Sequence, residues 1–577
     1  MMENYGSIDI QEIPLGVPVF RRRVTDFLGK NGLQLEDLDL YLAVLDPDGV
    51  ILAGAGLSGD IVKCVAVSPD RRGDGLAAPL LSRLLSIASA KGIDDLKVFT
   101  KPGNRSVFES LGFHVIASAP KAILMENGRG LESYLASLSG LRLPGTAGAA
   151  VVNADPFTLG HRYLLEKAAA QVDNLYVIPV AEDASRFPAS ERAEMIRSGS
   201  AGIARVVPGG AYQISAATFP SYFLKDLTDV SESQMRLDLD IFARHIAPAL
   251  GVSVRFVGSE PQDPLTARYN ALMHELLPQH GIKVVEIPRL ADAHGPVSAS
   301  RVRKALDAGT FPGGLVPPST WKYIVADLVS RAMTMELDAP LKPGLVDREQ
   351  SGSHHDMDHG MMASSIKVIR SSFIRHFDLE PVPLGKAVEA DVLAATGGVN
   401  TYRGAIFSQL IVSKAFLTLL ADGAEDVRSE LPAAIASIAA EVPASGSTHG
   451  GAAVRDHGVK GALAMARDGY SELFSSWLPF WRSVRGNEYS LNKTLLLIMS
   501  TLDDTCIIHR AGMERAAQVK RQASSLLAGF SEEGLRGMCA DFVREGLSPG
   551  GAADMLALTL LVDSLLPEPG RTEQTTT

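Results

Sequence analysis

The stretch VVNADPFTLGH, residues 151–161, predicts a strand followed by a helix. An apolar run, Ala149 to Val152, ends at polar residues and a proline, and a helix-like segment from Tyr163 to Ala170 comes after them. Gly160 and His161 therefore stand at a helix start, where backbone N–H groups and the helix dipole favour phosphate. Gly160 would let the backbone approach a nucleotide, and His161 can donate a hydrogen bond to an oxyanion. The pattern predicts nucleotidyl transfer at the α-phosphorus of ATP.

Composition limits the class of protein. The chain has 577 residues, of which 46% are hydrophobic and 21% charged, so we expect a globular chain of several domains. A net charge of −11 argues against a nucleic-acid partner. The three cysteines show no paired spacing, which excludes a disulfide framework or zinc cluster and favours a cytoplasmic location. There is no signal-peptide pattern, and the apolar runs are shorter than the roughly 18 residues of a membrane span, so no membrane partner is predicted.

Three segments differ in pattern. Residues 1–135 are predicted to form an α/β domain, with a strand at Ile61–Val67 and an amphipathic helix at Ala77–Ala90. Residues 146–328 alternate strand and helix signals, as in an open parallel sheet with binding residues at the carboxyl ends of its strands. The strands predicted there are Ala149–Asn153, Leu175–Val180, Val252–Val257 and Lys283–Ile287.

Residues 335–568 are predicted to form an all-α domain, because Ala- and Leu-rich stretches of helical length replace the strand signals. These stretches are Ile411–Leu420, Leu431–Glu441, Leu491–Leu502, Arg515–Leu527 and Ala552–Leu566. Turns that carry glycine and aspartate separate them.

A basic, glycine-rich turn follows the first predicted strand. The run RGDGLA, residues 72–77, can hold a pyrophosphate through its arginine and exposed amides. The run NRSVFESLGF, residues 104–113, resembles the second signature of the GNAT acyltransferase fold. The residues expected at an acyl-CoA-like loop are Arg72, Gly73, Gly75, Ala77 and Asn104. No general base stands out, so acyl transfer by this domain is left open.

A second sequence pattern that is typical of phosphate binding lies at the far end of the second domain. The run VSASRVR, residues 297–303, begins a helix whose hydroxyls and arginine suit the β- and γ-phosphates of ATP. An ordinary N-cap is the alternative for the two serines. Taken together, the two elements are predicted to close around one ATP. The predicted ATP-binding residues are Asn153, Phe157, Thr158, Gly160, His161, Ser298, Ser300 and Arg303.

Several runs in residues 1–325 resemble citrate lyase ligase, the most specific being TFPSYFLK, residues 218–225. The resemblance implies a Rossmann-like nucleotidyltransferase domain behind a GNAT-like one, and a reaction of ATP with acetate to acetyl-adenylate. It also implies, as partner, the acyl-carrier subunit of citrate lyase, whose thiol receives the acetyl group. His161 and Lys225 are the predicted catalytic residues. Two departures are Thr158, where the wider superfamily often has histidine, and Asp155, an added carboxylate beside phosphate.

Six polar runs stand in the turns of the all-α domain. Carboxylates in such turns are the oxygen ligands that Mg²⁺ needs, and the predicted metal ligands are Asp356, Asp358 and Asp504. Lys342 and Arg348 could neutralise phosphates. Adjacent histidines such as His354 and His355 seldom form a zinc site. The runs are KPGLVDR (342–348), SGSHHDMD (351–358), GVNTYRGAIF (398–407), DDT (503–505), HR (509–510) and SPGGAAD (548–554).

These runs resemble triphosphoribosyl-dephospho-CoA synthase over nearly all of residues 335–566. The resemblance implies that a hydroxyl of 3'-dephospho-CoA attacks the ribose C1 of ATP and that adenine leaves. Asp356 and Asp504 are predicted to be catalytic. The other residues of the predicted substrate site are Lys342, Gly344, Asp347, Arg348, His354, Asn400, Arg403, His509, Arg510, Ser548, Gly550 and Asp554.

Three positions depart from the synthase pattern. Tyr402 replaces a usual histidine, Cys506 an asparagine and Met465 a glutamate, and methionine cannot replace a carboxylate. The main expectation is a bifunctional enzyme that matures and activates citrate lyase. One alternative makes the all-α domain a binding module for the CoA-like arm, without chemistry. Another makes the front half an adenylyltransferase that acts on a phosphopantetheine-like substrate.

Overall fold

The computed structural model describes residues 9–181, 185–214, 227–260, 263–443 and 459–568. The chain divides into two compact units, Met1–Val297 and Ser298–Thr577. The first unit is α/β and the described part of the second is helical, which confirms the predicted change of fold class along the chain.

The front of the first unit is a seven-stranded sheet in the order β1-β2-β3-β4-β5-β7-β6. Only β4 and β5 pair in parallel, and their register covers two residue pairs, so the strands separate toward their carboxyl ends. The strands are β1 (Ile10–Glu12), β2 (Leu40–Leu45), β3 (Ile51–Ser58), β4 (Ile61–Val67), β5 (Leu96–Thr100), β6 (His114–Ser118) and β7 (Ile123–Asn127). The helices are Pro18–Lys30, Ala77–Ala90, Arg105–Glu109 and Gly130–Ser139, with short 3-10 turns at Pro69–Arg71 and Pro102–Asn104.

The predicted strand Ile61–Val67 and helix Ala77–Ala90 are confirmed. Leucines on one face of that helix lie buried against the sheet, in a core with Val62 and Val98. The opposite face of the sheet packs on the second half of the unit.

That second half is a five-stranded parallel sheet in the order β10-β9-β8-β11-β12. The strands are β8 (Ala147–Val152), β9 (Asn174–Pro179), β10 (Arg205–Val206), β11 (Val252–Gly258) and β12 (Lys283–Ile287). The four predicted strands are confirmed to within two residues at each end. The strand order reverses between β8 and β11, and in open α/β sheets ligands bind beyond the carboxyl ends of the strands at such a point.

Helices cover this sheet, and a hairpin follows it. The helices are Leu159–Ala169, Ala189–Gly199, Leu227–Ile241, Ala247–Leu250 and Pro264–Leu276, with a π-helical turn at Phe242–Ile246 and a 3-10 turn at Leu277–His280. The hairpin pairs β13 (Ala291–Asp292) with β14 (Gly295–Pro296). The helix expected at Tyr163–Ala170 begins four residues earlier, because Thr158 caps it.

The second unit has no strand among its described residues, as predicted for residues 335–568. Its helices are Ala299–Asp307, Pro318–Asp338, His359–Arg375, Pro381–Ala395, Arg403–Asp422, Val427–Glu441, Ala462–Arg467, Leu478–Val484, Ser490–Thr501, Thr505–Ala528, Glu532–Glu545 and Gly550–Leu565, with a 3-10 turn at Gly313–Leu315 and a π-helical turn at Leu473–Trp477. Gly550–Leu565 is buried along most of its length and is the central helix of the core. Each of the five predicted helical stretches lies within one of these helices or ends a single residue beyond it.

One described helix, Arg403–Asp422, is long and apolar enough to cross a membrane by length and composition alone. In the folded unit 61% of its apolar window is buried. Packing against neighbouring helices, among them Val427–Glu441 and Gly550–Leu565, accounts for its apolar character.

Candidate functional site

His161 is held at a helix start by its own neighbours. The Thr158 hydroxyl accepts the His161 N–H at 3.3 Å, and the Thr158 N–H donates to His161 Nδ1 at 3.0 Å, which completes a capping box. The Phe157 ring stacks on the imidazole at 5.7 Å between centroids. A neutral imidazole that accepts at Nδ1 carries its proton on Nε2. The ring is therefore prepared to donate a hydrogen bond from Nε2 beside the carboxyl end of β8.

Gly160 is required by a close backbone approach. A Cβ atom at this position would collide with the carbonyl oxygen of Val297. We predicted that this glycine makes room for a nucleotide, and the structure gives it a packing reason within the protein. The contact also holds the end of the first unit against the helix start that carries His161.

Arg192 is a residue that the sequence analysis missed. Its side chain is fully buried, and its guanidinium donates to the carbonyls of Asn153, Val180 and Phe187 at 2.9–3.0 Å and to the side-chain oxygen of Asn153. It thereby ties together the carboxyl ends of β8 and β9. An arginine on an amphipathic helix is usually exposed, so nothing in the sequence alone predicts that Arg192 is buried and binds these carbonyls.

Asp155 does not face solvent as an extra charge. It is 6% exposed, and its carboxylate accepts the N–H groups of Arg186 and Phe187 at 3.2 and 3.0 Å. These contacts fix the loop after β9. Repulsion of phosphate by this carboxylate, unless Mg²⁺ intervenes, stays a prediction. Lys225 lies outside the described residues.

Ser298 begins the second unit and caps the helix Ala299–Asp307. Its hydroxyl accepts the Arg301 N–H at 3.3 Å and lies 2.9 Å from the Ser300 hydroxyl. Ser298 is thus an N-cap, and its contact with phosphate stays a prediction. Ser300 and Arg303 stand in the first two turns of the same helix. The joint binding of one ATP by this helix and His161 stays a prediction.

The acyl-CoA-like loop residues lie after β4 and β5, where these parallel strands separate. Gly73 and Gly75 have φ values of +96° and +74°, which a side chain would strain, and Ala77 begins the next helix. The Arg72 guanidinium donates to Asn31 at 3.3 Å, and the Asn104 amide donates to Thr100 at 2.9 Å. Both loops therefore follow the same end of the sheet.

In the second unit, the structure brings most of the predicted runs together. The His354 ring lies 2.9 Å from the Ser548 hydroxyl, although the two are 194 residues apart in the chain. The Arg510 guanidinium donates to the carbonyls of Ser353 and Gly546, at 3.4 and 2.9 Å. Burial and the nearby Arg510 charge lower the pKa of His354.

Glycines permit the close contacts between these runs. A Cβ atom at Gly344 would collide with the Leu547 carbonyl, and one at Gly404 would collide with the Asp554 carboxylate. Ser353 N–H donates to the Gly344 carbonyl at 3.0 Å, which joins the first run to the second. These contacts join the runs at 342–348, 351–358, 398–407 and 548–554 in one region.

Asp504 is a buried helix cap. Its carboxylate accepts the N–H groups of Cys506, Ile507 and Ala552, at 2.9, 3.3 and 2.8 Å. Burial raises the pKa of Asp504, and the N–H donors oppose that shift. Burial and the carboxylates of Glu336 and Asp504 raise the pKa of Asp554 well above its usual range.

The structure does not bring the three predicted metal ligands together. Among the residues that it describes, no three His, Cys, Asp or Glu side chains form a group that could hold a metal ion. The physical reason is that two of the carboxylates are helix caps. Asp358 caps the helix His359–Arg375, and Asp504 caps the helix Thr505–Ala528. Asp356 lies exposed in the bend before His359.

The cations of the first run are already paired. Lys342 is 1% exposed and donates to the Glu336 carboxylate and carbonyl, both at 2.6 Å. Arg348 donates to Asp338 at 2.5 Å, and His359 lies 2.8 Å from the same carboxylate.

The other polar residues of these runs also have partners within the protein. Asp347 accepts the N–H groups of Glu349 and Gln350. Arg403 pairs with Glu389 at 2.9 Å, and Asn400 accepts the Arg403 N–H.

Comparison with known proteins gives two matches that meet near residue 323. The model of the family described as citrate lyase ligase C-terminal domain matches residues 147–324. The model of the family described as ATP:dephospho-CoA triphosphoribosyl transferase matches residues 322–572.

Relatives of both kinds are similar over nearly their whole length. Citrate (pro-3S)-lyase ligase of Klebsiella pneumoniae is 43% identical over 53% of this chain and 92% of its own, and that of Escherichia coli K12 is 40% identical over 52% and 89%. The 2-(5''-triphosphoribosyl)-3'-dephosphocoenzyme-A synthase of Pectobacterium atrosepticum is 34% identical over 42% of this chain and 90% of its own. The chain belongs to both families. It is a fusion of a citrate lyase ligase with a triphosphoribosyl-dephospho-CoA synthase, as the sequence resemblances predicted.

A solved structure described as an acyl-CoA N-acyltransferase from Klebsiella pneumoniae is also similar. It is 20% identical, covers 21% of this chain and 95% of its own, and gives a TM-score of 0.18.

The three departures from the synthase pattern, Tyr402, Cys506 and Met465, all lie in the second unit. Tyr402 is buried, its hydroxyl has no hydrogen-bond partner in the described part of the chain, and it lies in the field of Asp554. Cys506 packs against Gly550. Met465 lines a cavity with Tyr470 and Asp503. Tyr402 and Cys506 therefore adjoin predicted site residues, namely Asp554 and Gly550.

Proposed function

We propose that the ligase half activates acetate with ATP and passes the acetyl group to the prosthetic-group thiol of the citrate lyase acyl-carrier subunit. The observation that carries this proposal is the orientation of His161. Its Nδ1 accepts the Thr158 N–H, so a neutral imidazole carries its proton on Nε2, and the helix that begins at Leu159 follows the carboxyl end of β8.

The chemistry follows from that orientation. An acetate oxygen attacks the α-phosphorus, the bond to the bridging oxygen breaks, and pyrophosphate leaves. The carrier thiol then loses its proton and attacks the acetyl carbon of acetyl-adenylate, and AMP leaves. Negative charge grows on the phosphate oxygens, and the His161 Nε2–H together with the N–H groups at the helix start stabilise it. Ser298, Ser300 and Arg303 bind the β- and γ-phosphates, and Lys225 pairs with acetate or phosphate. Catalysis is mostly positioning and charge stabilisation.

The synthase half transfers the triphosphoribosyl group of ATP to 3'-dephospho-CoA. The hydroxyl of dephospho-CoA forms a bond to ribose C1, the N-glycosidic bond breaks, and adenine leaves with the electron pair and a proton. Convergence of His354, Ser548 and Arg510 on one region supports this site. Among the carboxylates Asp356, Asp358 and Asp504, one stabilises the positive charge that develops on the sugar and another holds Mg²⁺.

A Mg²⁺ ion bound to the nucleotide would neutralise part of the phosphate charge. Mg²⁺ in such sites is usually held by one or two carboxylates together with phosphate oxygens. The exposed Asp356 fits that role, whereas the oxygens of Asp504 already accept three backbone N–H groups.

The proposed domains are a GNAT-like domain at 1–135, a Rossmann-like nucleotidyltransferase domain at 146–328 and the synthase domain at 335–568. The parallel strand order of β8–β12 supports the second of these. The loops that carry Arg72 and Asn104, after β4 and β5, bind a pyrophosphate of a CoA-like group. The enzyme acts in the cytoplasm, without a nucleic-acid or membrane partner.

The test uses the full chain in two assays. ATP, acetate and deacetylated holo-citrate lyase should release pyrophosphate and restore lyase activity. ATP and 3'-dephospho-CoA should release free adenine. Absence of pyrophosphate would remove the ligase proposal, and binding of dephospho-CoA without adenine release would make the synthase half a binding module. Acetate and phosphopantetheine should also be compared as competing substrates. Pyrophosphate release that depends on phosphopantetheine and not on acetate would indicate the adenylyltransferase alternative.

A further inference from the structure

One helix of the ligase half lies in the compact unit of the synthase half. The residues matched by the citrate lyase ligase family, 147–324, include the helix Ala299–Asp307. The second compact unit begins at Ser298, so it contains this helix together with the synthase helices. The helix is capped by Ser298 and carries Ser300 and Arg303, the residues proposed to bind the β- and γ-phosphates of ATP. We call it the phosphate helix.

Thr310 ties the chain to the last turn of the phosphate helix. It is 1% exposed, and both its N–H and its hydroxyl donate to the Ala305 carbonyl, at 2.8 and 2.9 Å. Gly309, just before it, has φ +69°, and a Cβ atom there would lie 2.9 Å from the Nε atom of Arg331. Arg331 belongs to the helix Pro318–Asp338, in the part of the chain matched by the synthase family. The end of the phosphate helix is thus bounded by its own last turn and by a synthase helix.

Phe311 ties the next residue to the synthase core. Its N–H donates to the Ser564 carbonyl at 2.9 Å, at the end of the central helix Gly550–Leu565. Its ring packs edge-to-face on Phe416, with 4.9 Å between the centroids, and both rings are buried. Aromatic pairs of this geometry attract each other beyond the area that they bury. The core therefore holds Phe311 by a backbone hydrogen bond and by a ring contact.

Thr310 and Phe311 are consecutive, and we call them the joint. Connections between domains are usually exposed and flexible, which lets the domains move independently. In the joint, one buried residue is bonded to the phosphate helix and the next is bonded to the synthase core. No free residue separates the two attachments, so a shift of the core at Phe311 is passed on to the last turn of the phosphate helix.

We propose that the joint positions the phosphate helix, so that the ligase half depends on the synthase core for its binding of ATP. Thr310 and Phe311 are positioning residues, since they act through the helix and do not touch the nucleotide. The inference rests on the proposed ligase function, in which the phosphate helix binds the β- and γ-phosphates. Such binding is sensitive to position, because a displacement of about 1 Å can change a rate about 10²-fold.

The test inserts two glycines between Thr310 and Phe311 in the full chain. The spacer keeps both attachments but separates them by a flexible segment. Pyrophosphate release reports on the ligase half alone, because the synthase reaction releases adenine. We expect the KM for ATP to rise about tenfold with kcat changed less than about threefold, since contacts to the β- and γ-phosphates act in the ground state and in the transition state alike. A KM within about twofold of wild type would overturn the proposal.

The matched control inserts the same two glycines between Gly313 and Gly314. This point lies beyond the joint, and Gly314 is exposed. The control lengthens the same connection by the same amount but leaves Thr310 and Phe311 adjacent, so it should keep the wild-type KM for ATP. An equal rise in both insertion variants would contradict the assignment to the joint.

Phe311→Ala tests the joint from the side of the core, without a change in chain length. It removes the ring contact with Phe416, and the KM for ATP should rise again. Phe373→Ala is its matched control, because Phe373 is also buried in the second unit and forms an edge-to-face pair, with Phe377 at 5.6 Å. That control should destabilise the unit similarly, as followed by tryptophan fluorescence in urea, and keep the wild-type KM. The same rise in KM in both variants would indicate general loosening of the unit and would overturn the proposal.

Amide hydrogen exchange of the phosphate helix separates failure of this inference from failure of the ligase proposal. Amides within Ala299–Asp307 should exchange faster in the Thr310–Phe311 spacer variant than in wild type or in the control insertion. If wild type releases no pyrophosphate from ATP and acetate, the ligase proposal fails, and faster exchange confined to the spacer variant still supports the joint. Equal exchange in all three proteins would overturn the joint, whatever the pyrophosphate assay shows.

Discussion

The two candidate sites of this chain differ in how far apart along the sequence their contacting residues lie. In the ligase half, His161 is oriented by Thr158, three residues earlier in the same turn. In the synthase half, His354 contacts Ser548, 194 residues away. A local capping box persists wherever its helix persists, whereas the second site exists only when the whole helical unit is folded.

The comparison teaches what a mutation should do in each half. Changes to His161 should act on chemistry first, because the contacts described above for its side chain are with Thr158 and Phe157, in the same turn. Changes to the groups that join the synthase runs should act on folding first. The following variants, from the largest expected effect to the smallest, separate these cases.

His161→Ala should lower the rate of pyrophosphate release about 10²–10³-fold, the effect of losing one preorganised donor to a developing oxyanion. The adenine-release assay of the synthase half should be unchanged. The matched control is His280→Ala, an exposed histidine of the same unit, which should keep full activity. Pyrophosphate release by His161→Ala at more than a third of the wild-type rate would show that the imidazole does not act at the phosphate.

Asp504→Ala should destabilise the synthase half by about 2–4 kcal/mol, because three buried N–H groups lose their acceptor. Tryptophan fluorescence during urea unfolding measures this unit alone, since Trp321, Trp477 and Trp481 are the three tryptophans of the chain.

Asp503→Ala is the matched control for that variant. Its carboxylate is 45% exposed and pairs with Lys520, so the change should cost less than about 0.5 kcal/mol. Equal destabilisation by the two alanine variants would show that Asp504 is not the cap on which the site depends.

The sequence separation of contacting residues also decides which features can be predicted from the sequence. The strand before His161, the helix after it and the glycine turn at Arg72 were predictable, because apolar periodicity and turn chemistry are local. The polar runs of the synthase half were recognised, yet their pairings were not, since contacts such as Asp504 with Ala552 join distant parts of the chain. Arg192 could not be predicted, because only the tertiary fold decides whether an arginine on an amphipathic helix is buried.

Arg192→Lys tests a long-range contact that supports the ligase crevice. Lysine keeps the charge but cannot satisfy all the carbonyls that the guanidinium binds, so Asn153 and its loop should shift. We expect the KM for ATP to rise about tenfold, with a smaller change in kcat, because a misplaced loop affects binding geometry first.

Arg197→Lys, on the same helix, is the matched control for Arg192→Lys. Arg197 is 61% exposed and pairs with Glu194, so its variant should keep the wild-type KM for ATP. An unchanged KM in Arg192→Lys would mean that Asn153 does not take part in ATP binding.

Asp554→Asn should give the smallest effect, a change in how stability depends on pH. Burial and two neighbouring carboxylates raise the pKa of Asp554 in the folded state, so folding favours its protonated form. This contribution to stability is complete below the carboxyl's unfolded pKa and is lost as pH rises toward its folded pKa.

Asparagine cannot ionise, and its side-chain oxygen can still accept the backbone N–H that the Asp554 carboxylate binds at Ala405. The tryptophan-detected urea midpoint of the variant should therefore fall less than that of wild type between pH 5 and pH 8. Asp541→Asn, at a half-exposed position where the carboxylate pairs with Arg544, should follow the wild-type curve. A wild-type pH dependence in Asp554→Asn would mean that this buried carboxyl keeps its ordinary pKa, and the synthase site would then tolerate a buried charge at its centre.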